Sequence, residues 1–480
     1  MKIFSPDMVL KNFINISKIP HGSGNEKQIS NYIKDFSEKL GLETIQDEYY
    51  NLIVKKPAQN SNNNSTVMLQ AHIDMVTEKT NSSKHDFEND PLDIIIEGNI
   101  IRANNTTLGA DNGIGVAYMM SILESSDISH PNLECVFTSN EEVGLVGANK
   151  IDISELKSTM IINLDAEEDD SILTGCAGAI NSTISLKKEY KPAIPTNIAL
   201  EITVHGLCGG HSGMDIDKQR GNSISILGRV LNSITKNFDL FYLEGGSKRN
   251  VIPRYAEAVI SLSDSDLEEI VNEIQKETRK IQKEVYSVDP NLRISLRKAA
   301  AADFKVYTDE CKMKIISLLN LIPDGVINMS YDLENLVDTS TNFAVLHETS
   351  TKVNFTSLTR SCSQVRKEYV AKKISLLANV VGAKIEIVDE YLPWEYNPNS
   401  KLEDISSEVY KDTFDKLPNI RIMHCGLECG IILNKLNHYA EAISIGPNIY
   451  NVHSPSEYAE IDSIEKISVY LVNLLKKLSE

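Results

Sequence analysis

The sequence lacks any apolar run approaching the ~18 residues that a membrane-spanning helix needs. Its first twenty residues also lack the uninterrupted apolar core of a signal peptide, because polar residues break them repeatedly. Both absences argue against a membrane-inserted or exported protein. We therefore expect a cytoplasmic protein.

Cysteine is scarce and irregularly placed, with seven residues scattered along 480. An odd, sparse set suits reduced thiols in a cytosol better than a disulfide framework. Cys425 and Cys429 lie four apart, but no second Cys/His pair follows them at zinc-ribbon spacing. We expect both to be small packing residues.

Positive charge is also in short supply, since 48 Lys and Arg residues face 67 Asp and Glu residues, a net charge of −19. Nucleic acids and anionic membrane surfaces bind proteins through basic patches, and no stripe of basic and aromatic residues is present. We therefore expect neither as a partner. The acidic excess is compatible with cation binding, although most of these residues simply favour solubility.

The chain contains more apolar sequence than a single core uses, because cores stop growing near ~250–300 residues. Near-continuous apolar runs at 67–72, 133–139 and 159–165 predict strands buried on both faces, and 112–126 reads as a helix. From about residue 184 the runs alternate as half-buried strands between longer helices. The pattern predicts an α/β domain with a mixed central sheet, built from 1–183 and 391–480 and interrupted by an inserted α+β domain at 184–390.

Acids and histidines follow the predicted strands, where α/β proteins build their sites. His72 and Asp74 lie two apart in an extended segment, so both side chains point to one face. A carboxylate commonly holds the second nitrogen of a metal-bound imidazole. The pair alone is a weak signal, but the apolar run that leads into it strengthens the interpretation.

Two further segments supply carboxylates. Asp111 follows a glycine turn and precedes a helix, so it is either an N-cap or a carboxylate that bridges two cations. Glu141 and Glu142 are either a solvated helix start or a pair that divides two roles, one binding metal and one taking a proton from the attacking water. Asp165 ends the next predicted strand and would be a terminal ligand of the other metal.

His453, near the C-terminal end, makes the set symmetric by adding a second imidazole. His72 and Asp165 would hold one metal, and Glu142 and His453 the other, with Asp111 between them. Mixed imidazole and carboxylate ligation suits Zn²⁺, with Mn²⁺ and Co²⁺ as alternatives. The acids that follow Asp165, at positions 167 and 168, are expected to be solvated.

The phrases LQAHIDMV, TLGADNGIG, TSNEEVGLVGA, INLDAEE, GGHSGMDI, NVIPR, SLTRS, GLECG and SIGPNIYNVHSP occur in this order. Together they resemble the co-catalytic di-zinc peptidase and aminoacylase superfamily, and within it the aminoacyl-histidine dipeptidases. The likeness covers nearly the whole chain, including the inserted domain. It implies a di-metal hydrolase that cleaves dipeptides, Xaa-His and broader, with a metal-activated water.

The resemblance also implies residue roles. The ligands of one metal would be His72, Asp111 and Asp165, and those of the other Asp111, Glu142 and His453. Glu141 would be the general base, Asp74 would orient His72, and the inserted domain would be a lid that carries homodimer contacts. The residues implied to bind substrate are His211, Asn250, Arg360 and, more weakly, Glu428.

Alternatives stay open at this point. His211 is also readable as a satisfied loop histidine, and Arg360 as half of a structural salt bridge. The rival activities are an N-acyl amino acid deacylase and a tripeptidase on the same scaffold. A non-catalytic metal-binding protein is a more remote rival, because a binder needs ligands but no base such as Glu141.

Overall fold

The structure is a computed structural model that describes residues 3–61, 63–299 and 305–480. The helices are α1 (Pro6–Ile16), α2 (Lys27–Lys39), α3 (Ala110–Glu124), α4 (Val146–Lys150), α5 (Ser223–Asn232), α6 (Leu267–Val285), α7 (Asp309–Leu321), α8 (Gln364–Val380), α9 (Lys401–Phe414), α10 (Glu428–Lys435) and α11 (Ile461–Leu478). The strands are β1 (Glu43–Gln46), β2 (Leu52–Lys56), β3 (Thr66–His72), β4 (Ile94–Glu97), β5 (Ile100–Ala103), β6 (Asn132–Thr138), β7 (Met160–Asn163), β8 (Ser171–Cys176), β9 (Gly178–Lys187), β10 (Tyr190–Pro192), β11 (Ile198–His205), β12 (Gly210–His211), β13 (Asp239–Gly245), β14 (Val251–Ile252), β15 (Ala256–Leu262), β16 (Arg293–Ala299), β17 (Lys305–Tyr307), β18 (Gly325–Met329), β19 (Val337–Glu348), β20 (Lys352–Ser361), β21 (Lys384–Tyr391), β22 (Asn419–Met423), β23 (Glu441–Ser444), β24 (Ile449–Tyr450) and β25 (Tyr458–Glu460).

The chain divides into two compact units. Unit 1 comprises Met1–Cys176, Tyr396–Met423 and Leu427–Glu480, and unit 2 comprises Ala177–Glu395 and His424–Gly426. Strand β9 runs through the predicted boundary at 183/184, and β21 runs through the one at 390/391. The boundaries 1–183, 184–390 and 391–480 stay a prediction.

Unit 1 is built on an eight-stranded mixed sheet in the order β1-β2-β6-β3-β7-β23-β8-β22. Strand β3 pairs in parallel with both β6 and β7, so the carboxyl ends of these three strands lie side by side. The apolar runs predicted as doubly buried strands form these neighbouring strands, and β3 is buried from Val67 to His72. The mixed sheet with helices confirms the predicted α/β class.

Helix α3 crosses the core of unit 1, which explains why its sequence is apolar on every side. From Asn112 to Glu124 all of its residues are buried, and α1 and α11 pack around the same core. Asp111 and Asn112 depart from helical backbone angles and are joined by a cis peptide. Across the described ranges, no helix has the length and apolarity that crossing a membrane requires.

Unit 2 contains a nine-stranded sheet in the order β16-β11-β15-β13-β19-β20-β9-β21, with β18 paired to β19. The pairs are antiparallel, for example β19 with β20 and β20 with β9. Apolar side chains of α5, α6, α7 and α8 bury one face of the sheet, around Ile202, Ile260 and Phe343. The predicted α+β character of the insertion is confirmed, and its role as a lid stays a prediction.

Candidate metal centre

The candidate site of unit 1 forms where the parallel strands β6, β3 and β7 end. Position 72, the last of β3, pairs with Thr138 at the end of β6, and Gln70 pairs with Asn163 at the end of β7. The segments that follow β6 and β7 therefore emerge beside His72. Glu141, Glu142 and Asp165 lie on those segments, which is how parallel pairing gathers residues that are distant in sequence.

Asp111 lies between the two histidines. Its Oδ1 is 3.1 Å from His72 Nε2, and its Oδ2 is 3.1 Å from His453 Nε2. Asp111 departs from helical backbone angles at the kink that opens α3. Each oxygen of its carboxylate contacts one imidazole, so the carboxylate spans the two histidines as a bridging ligand would.

The remaining predicted ligands complete two groups. Asp165 Oδ1 lies 3.3 Å from His72 Nε2, and Glu142 Oε1 lies 2.9 Å from His453 Nε2. His72, Asp111 and Asp165 have donor atoms within 4.8 Å of one another, as do Asp111, Glu142 and His453. Since the side chain of Glu142 is only 7% exposed, it is not part of a solvated helix start.

Burial shapes the electrostatics of this cluster. It raises the pKa of Asp165 to about 6 and the pKa of Glu141 well above its usual value, and neighbouring carboxylates add to both shifts. Burial opposes ionisation of Asp111 too, but hydrogen bonds from both histidines hold its pKa below the usual range. Hydrogen bonds to Asp111 and Glu142 raise the pKa of His453 to about 11.

These residues fit metal ions. The cluster holds more buried carboxylates than cations, and Asp165 Oδ1 receives no hydrogen bond from the described residues. Buried charge of one sign needs a compensating partner. Imidazole nitrogens and carboxylate oxygens converging on two shared points provide the donor chemistry of Zn²⁺ and related divalent cations.

Asp74 contacts His72 mainly through its backbone. His72 Nδ1 lies 3.0 Å from the Asp74 carbonyl oxygen and 3.5 Å from Asp74 Oδ1. The carboxylate itself accepts the N–H groups of Glu141 and Glu142, at 2.9 and 3.3 Å, and the Ser23 hydroxyl at 2.8 Å. Asp74 therefore links His72 to the turn that carries the glutamate pair.

Glu457 is a site residue that the sequence reasoning missed. Its carboxylate accepts the N–H groups of Leu108, Gly109 and Ala110 at 2.8, 3.2 and 2.8 Å, and the residue is 3% exposed. It thereby ties the loop of His453 to the turn that precedes the bridging aspartate. Its position four residues after a candidate metal histidine was the available signal.

Glu428 lies buried in unit 1, where Oε2 accepts hydrogen bonds from Gln70 Nε2 at 2.5 Å and Thr138 Oγ1 at 2.6 Å. Its Oε1 has no partner among the described residues. Burial raises its pKa to about 7. An unpartnered buried carboxylate oxygen is the feature that makes Glu428 a candidate for binding a substrate group.

The expectation that both acids after Asp165 are solvated is wrong for Glu167. Its side chain is half-buried, and burial, followed by the negative charges of Asp111 and Asp165, raises its pKa to about 8. Glu168 is exposed and pairs with Arg421. Residue type and spacing do not distinguish these adjacent glutamates, because the turn after β7 decides which one faces the cluster.

Arg360 is the centre of a second polar cluster, in unit 2. It is 5% exposed, its Nη1 donates to the Tyr391 hydroxyl at 2.8 Å, and its Nε lies 3.5 Å from Ser212 Oγ. No carboxylate among the described residues lies within ion-pair distance of its guanidinium. Within the described residues the structural salt-bridge alternative has no carboxylate partner, and a buried guanidinium in such surroundings suits an anionic ligand.

His211 directly precedes Ser212, whose hydroxyl contacts Arg360. His211 Nδ1 accepts the N–H groups of Gly213 and Met214 at 3.3 and 3.2 Å, so the proton of the neutral ring is on Nε2. Asn250 has an exposed side chain, and its carbonyl accepts the Ser212 N–H at 2.9 Å. Unit 2 thus gathers all three predicted substrate residues of the inserted domain around one turn.

In unit 1, two donor groups share the carboxylate of Asp111, and Glu141 lies beside them. This arrangement is typical of hydrolases that use two metal ions. The sequence profile of Peptidase family M20/M25/M40 matches residues 68–477, and the chain belongs to this family of peptide hydrolases. The predicted family resemblance is confirmed.

Individual relatives agree with this placement. The chain is 35% identical to the cytosol non-specific dipeptidase of Escherichia coli (strain K12), over 99% of this chain and 98% of that protein. The aminoacylhistidine dipeptidase of Vibrio alginolyticus has a similar structure, with a TM-score of 0.90, 32% identity, and coverage of 98% and 97% of the two chains. The aminopeptidase PepT of Bacillus cereus, at a TM-score of 0.58 and 13% identity over the full length of both chains, shares the fold alone.

Proposed function

We propose that this protein is a cytoplasmic dipeptidase that uses two divalent metal ions to hydrolyse the single peptide bond of its substrate. The observation that carries the proposal is the pair of donor groups that share Asp111, next to Glu141. The full-length similarity to a cytosol non-specific dipeptidase and to an aminoacylhistidine dipeptidase supports the substrate class.

His72, Asp111 and Asp165 would hold one metal ion, and Asp111, Glu142 and His453 the other. Zn²⁺ suits this donor set best, with Mn²⁺ and Co²⁺ as alternatives. When bound, such ions polarise the scissile carbonyl and lower the pKa of water at the site. The protein's own part is to fix these donors, which it does through strand ends and buried hydrogen bonds.

Glu141 is the proposed general base. Its neighbour Glu142 contacts His453, and Glu141 lies outside the two donor groups that share Asp111, although its carboxylate also comes within 4.8 Å of donor atoms of His72 and Glu142. Its backbone N–H is held by Asp74, so the carboxylate starts from a fixed point. Glu141 takes a proton from the attacking water and delivers it to the leaving amine, a transfer that is typically worth 10²–10⁴-fold in rate.

Residues of unit 2 would bind the substrate. The Arg360 guanidinium pairs with the substrate's terminal carboxylate, for which a planar two-donor group is well suited. His211 donates its Nε2–H to the developing oxyanion, either from its own chain or from the second copy in a homodimer. Asn250 adds a polar contact, and Glu428 of unit 1 accepts the substrate's free amino group.

The decisive experiment is hydrolysis of Ala-His, β-Ala-His, Leu-Gly, Gly-Gly-Gly and N-acetyl-Met by chelated protein and by the same protein after zinc or manganese is restored. Metal-dependent cleavage confined to dipeptides with a free amino group is the expected result. It would also rank the preferred substrates.

The same panel contains the rival outcomes. Cleavage of N-acetyl-Met alone would make the protein a deacylase, and cleavage of Gly-Gly-Gly alone would make it a tripeptidase. If no substrate is cleaved with any metal, the proposed function is wrong and a metal-binding role remains. Gel filtration with light scattering tests the homodimer separately.

A further inference from the structure

The loop between α1 and α2 carries a buried acid that the proposed mechanism does not use. Glu26 is 2% exposed, and its Oε1 accepts the N–H groups of Gly24 at 2.8 Å and Asn140 at 3.2 Å. Among the described residues, no Lys or Arg lies within ion-pair distance of its carboxylate. Burying a carboxylate without a cation is costly, so these amides supply its compensation.

The turn that bears the glutamate pair offers three consecutive N–H groups, and each one meets a carboxylate. Asn140 donates to Glu26, while Glu141 and Glu142 donate to Asp74 Oδ1 and Oδ2. The backbone of Asn140 is left-handed, with φ at 50°. Successive amides around a left-handed residue form a concave anion-binding nest.

This arrangement places two nearly fully buried carboxylates, those of Glu26 and Asp74, close enough for the charge of Asp74 to act on Glu26. The repulsion between the two carboxylates disfavours this arrangement. The arrangement nevertheless fixes the position of the turn that carries Glu141 and Glu142. Asp74 holds the turn from the His72 side, and Glu26 holds it from the α2 side. The backbone of Glu141 is therefore fixed through its own amide and through the amide before it.

The opposite end of β6 provides a matched comparison. Glu134 is 5% exposed, and it likewise accepts backbone N–H groups, those of Lys157 and Ser158, at 3.0 to 3.1 Å. That brace holds a loop at the amino end of the strand, away from every candidate ligand. Both glutamates are buried acceptors of backbone N–H groups, and Glu134 also accepts the Ser158 hydroxyl at 2.5 Å. They differ in what the turn that they hold carries.

We propose that Glu26 is a positioning residue for the general base, acting through the N–H of Asn140 on the carboxylate of Glu141. The inference rests on the proposed function, because it assumes that Glu141 takes the proton. Without this acceptor the Ser139–Asn140 peptide keeps only the hydrogen bond from the Gly147 N–H to the Ser139 carbonyl, at 2.9 Å, so the base samples wrong orientations. A displacement near 1 Å at a catalytic group can cost about 100-fold in rate.

Three substitutions of Glu26 distinguish the effect of side-chain length from the effect of charge. Each variant is assayed as the metal-loaded full chain. Glu26→Ala removes the acceptor, Glu26→Asp keeps the charge but shortens the reach, and Glu26→Gln keeps the reach without the charge. We expect kcat to fall about 10- to 100-fold in Glu26→Ala and less in Glu26→Asp, with KM and metal per chain unchanged. Glu26→Gln should stay within about threefold of wild type, because its amide oxygen accepts the same N–H.

Glu134→Ala is the control, expected to lower the melting temperature while leaving kcat unchanged. The proposal is overturned if Glu26→Asp and Glu26→Gln lose activity equally, or if the Glu26 variants lose kcat only in proportion to lost metal. It is also overturned if Glu26→Ala folds and keeps the wild-type kcat. Wild-type protein in the same assay separates the two ideas, because absence of its cleavage counts against the proposed function and not against the positioning role.

Discussion

The two polar clusters differ in sign. The cluster of unit 1 gathers carboxylates around two imidazoles, and the nearby Glu428 Oε1 receives no hydrogen bond from the described residues. The cluster of unit 2 gathers donors around a buried guanidinium, with the Tyr391 hydroxyl and a histidine protonated on Nε2. The first suits cations, and the second suits carboxylate and oxyanion groups.

The largest expected effect lies in the acidic cluster. Glu141→Gln keeps the shape of the side chain but cannot take a proton, so kcat should fall about 10²–10⁴-fold with metal content unchanged. Steady-state kinetics and metal analysis of the same sample measure both quantities. Glu168→Gln, at an exposed glutamate after the next strand, is the control that should keep its rate. A Glu141→Gln enzyme with full activity would remove the assigned base.

Asp111→Asn should break the acidic cluster itself. The amide offers one neutral oxygen where the carboxylate offers two charged ones, so neither donor group keeps its shared member. We expect bound metal to drop below two ions per chain and activity to fall about 100-fold or more, since loss of even an outer partner costs 10–100-fold. Elemental analysis after gel filtration measures the metal. Retention of two tightly bound ions would show that Asp111 is not a bridge.

Arg360→Lys tests the donor cluster. Lysine keeps the charge but not the two-donor geometry, and hydrogen bonds to charged groups are worth about 1.5–3 kcal/mol. KM for a dipeptide should therefore rise about 10- to 100-fold, with little change for the same dipeptide carrying a C-terminal amide. Arg366→Lys, at a partly exposed arginine paired with Asp338, is the matched control. An equal loss on both substrates would contradict carboxylate binding.

The smallest expected effect is a loss of stability in the core of unit 2. Tyr307 is fully buried, and its hydroxyl donates to Glu348 Oε1 at 2.6 Å, beside the Lys188 ion pair. Tyr307→Phe should lower the free energy of unfolding by about 1–2 kcal/mol, because one hydrogen bond to a charged acceptor is lost. Denaturant unfolding measures this change. Since the residue belongs to neither polar cluster, a change in kcat would mean that the clusters are not independent of the unit 2 core.

The proximity of the candidate ligands could be predicted because strand periodicity determines where His72 and Asp165 emerge, and the structure brings them together with Asp111, Glu142 and His453. A metal donor needs a particular residue type after a recognisable strand. Both signals are visible in the sequence.

The supporting carboxylates could not be predicted in the same way. Glu26 and Glu457 accept backbone N–H groups, and every residue except proline offers one, so the partner leaves no mark on the sequence. Which of two adjacent glutamates is buried, Glu167 or Glu168, likewise depends on loop angles that residue type does not encode. Asp74 was predicted from its spacing to His72, yet its carboxylate mainly holds the turn that carries Glu141 and Glu142.

Asp111 lies between His72 and His453, so the candidate metal centre is complete only after both histidines have been synthesised. Four of the five candidate ligands leave the ribosome before the first residue of unit 2, whereas His453 follows the whole of it. A nascent chain therefore carries an incomplete donor set for most of its translation, and the second group closes only after the intervening unit has been made. The position of one histidine in the sequence thus makes completion of the candidate metal centre depend on prior synthesis of unit 2.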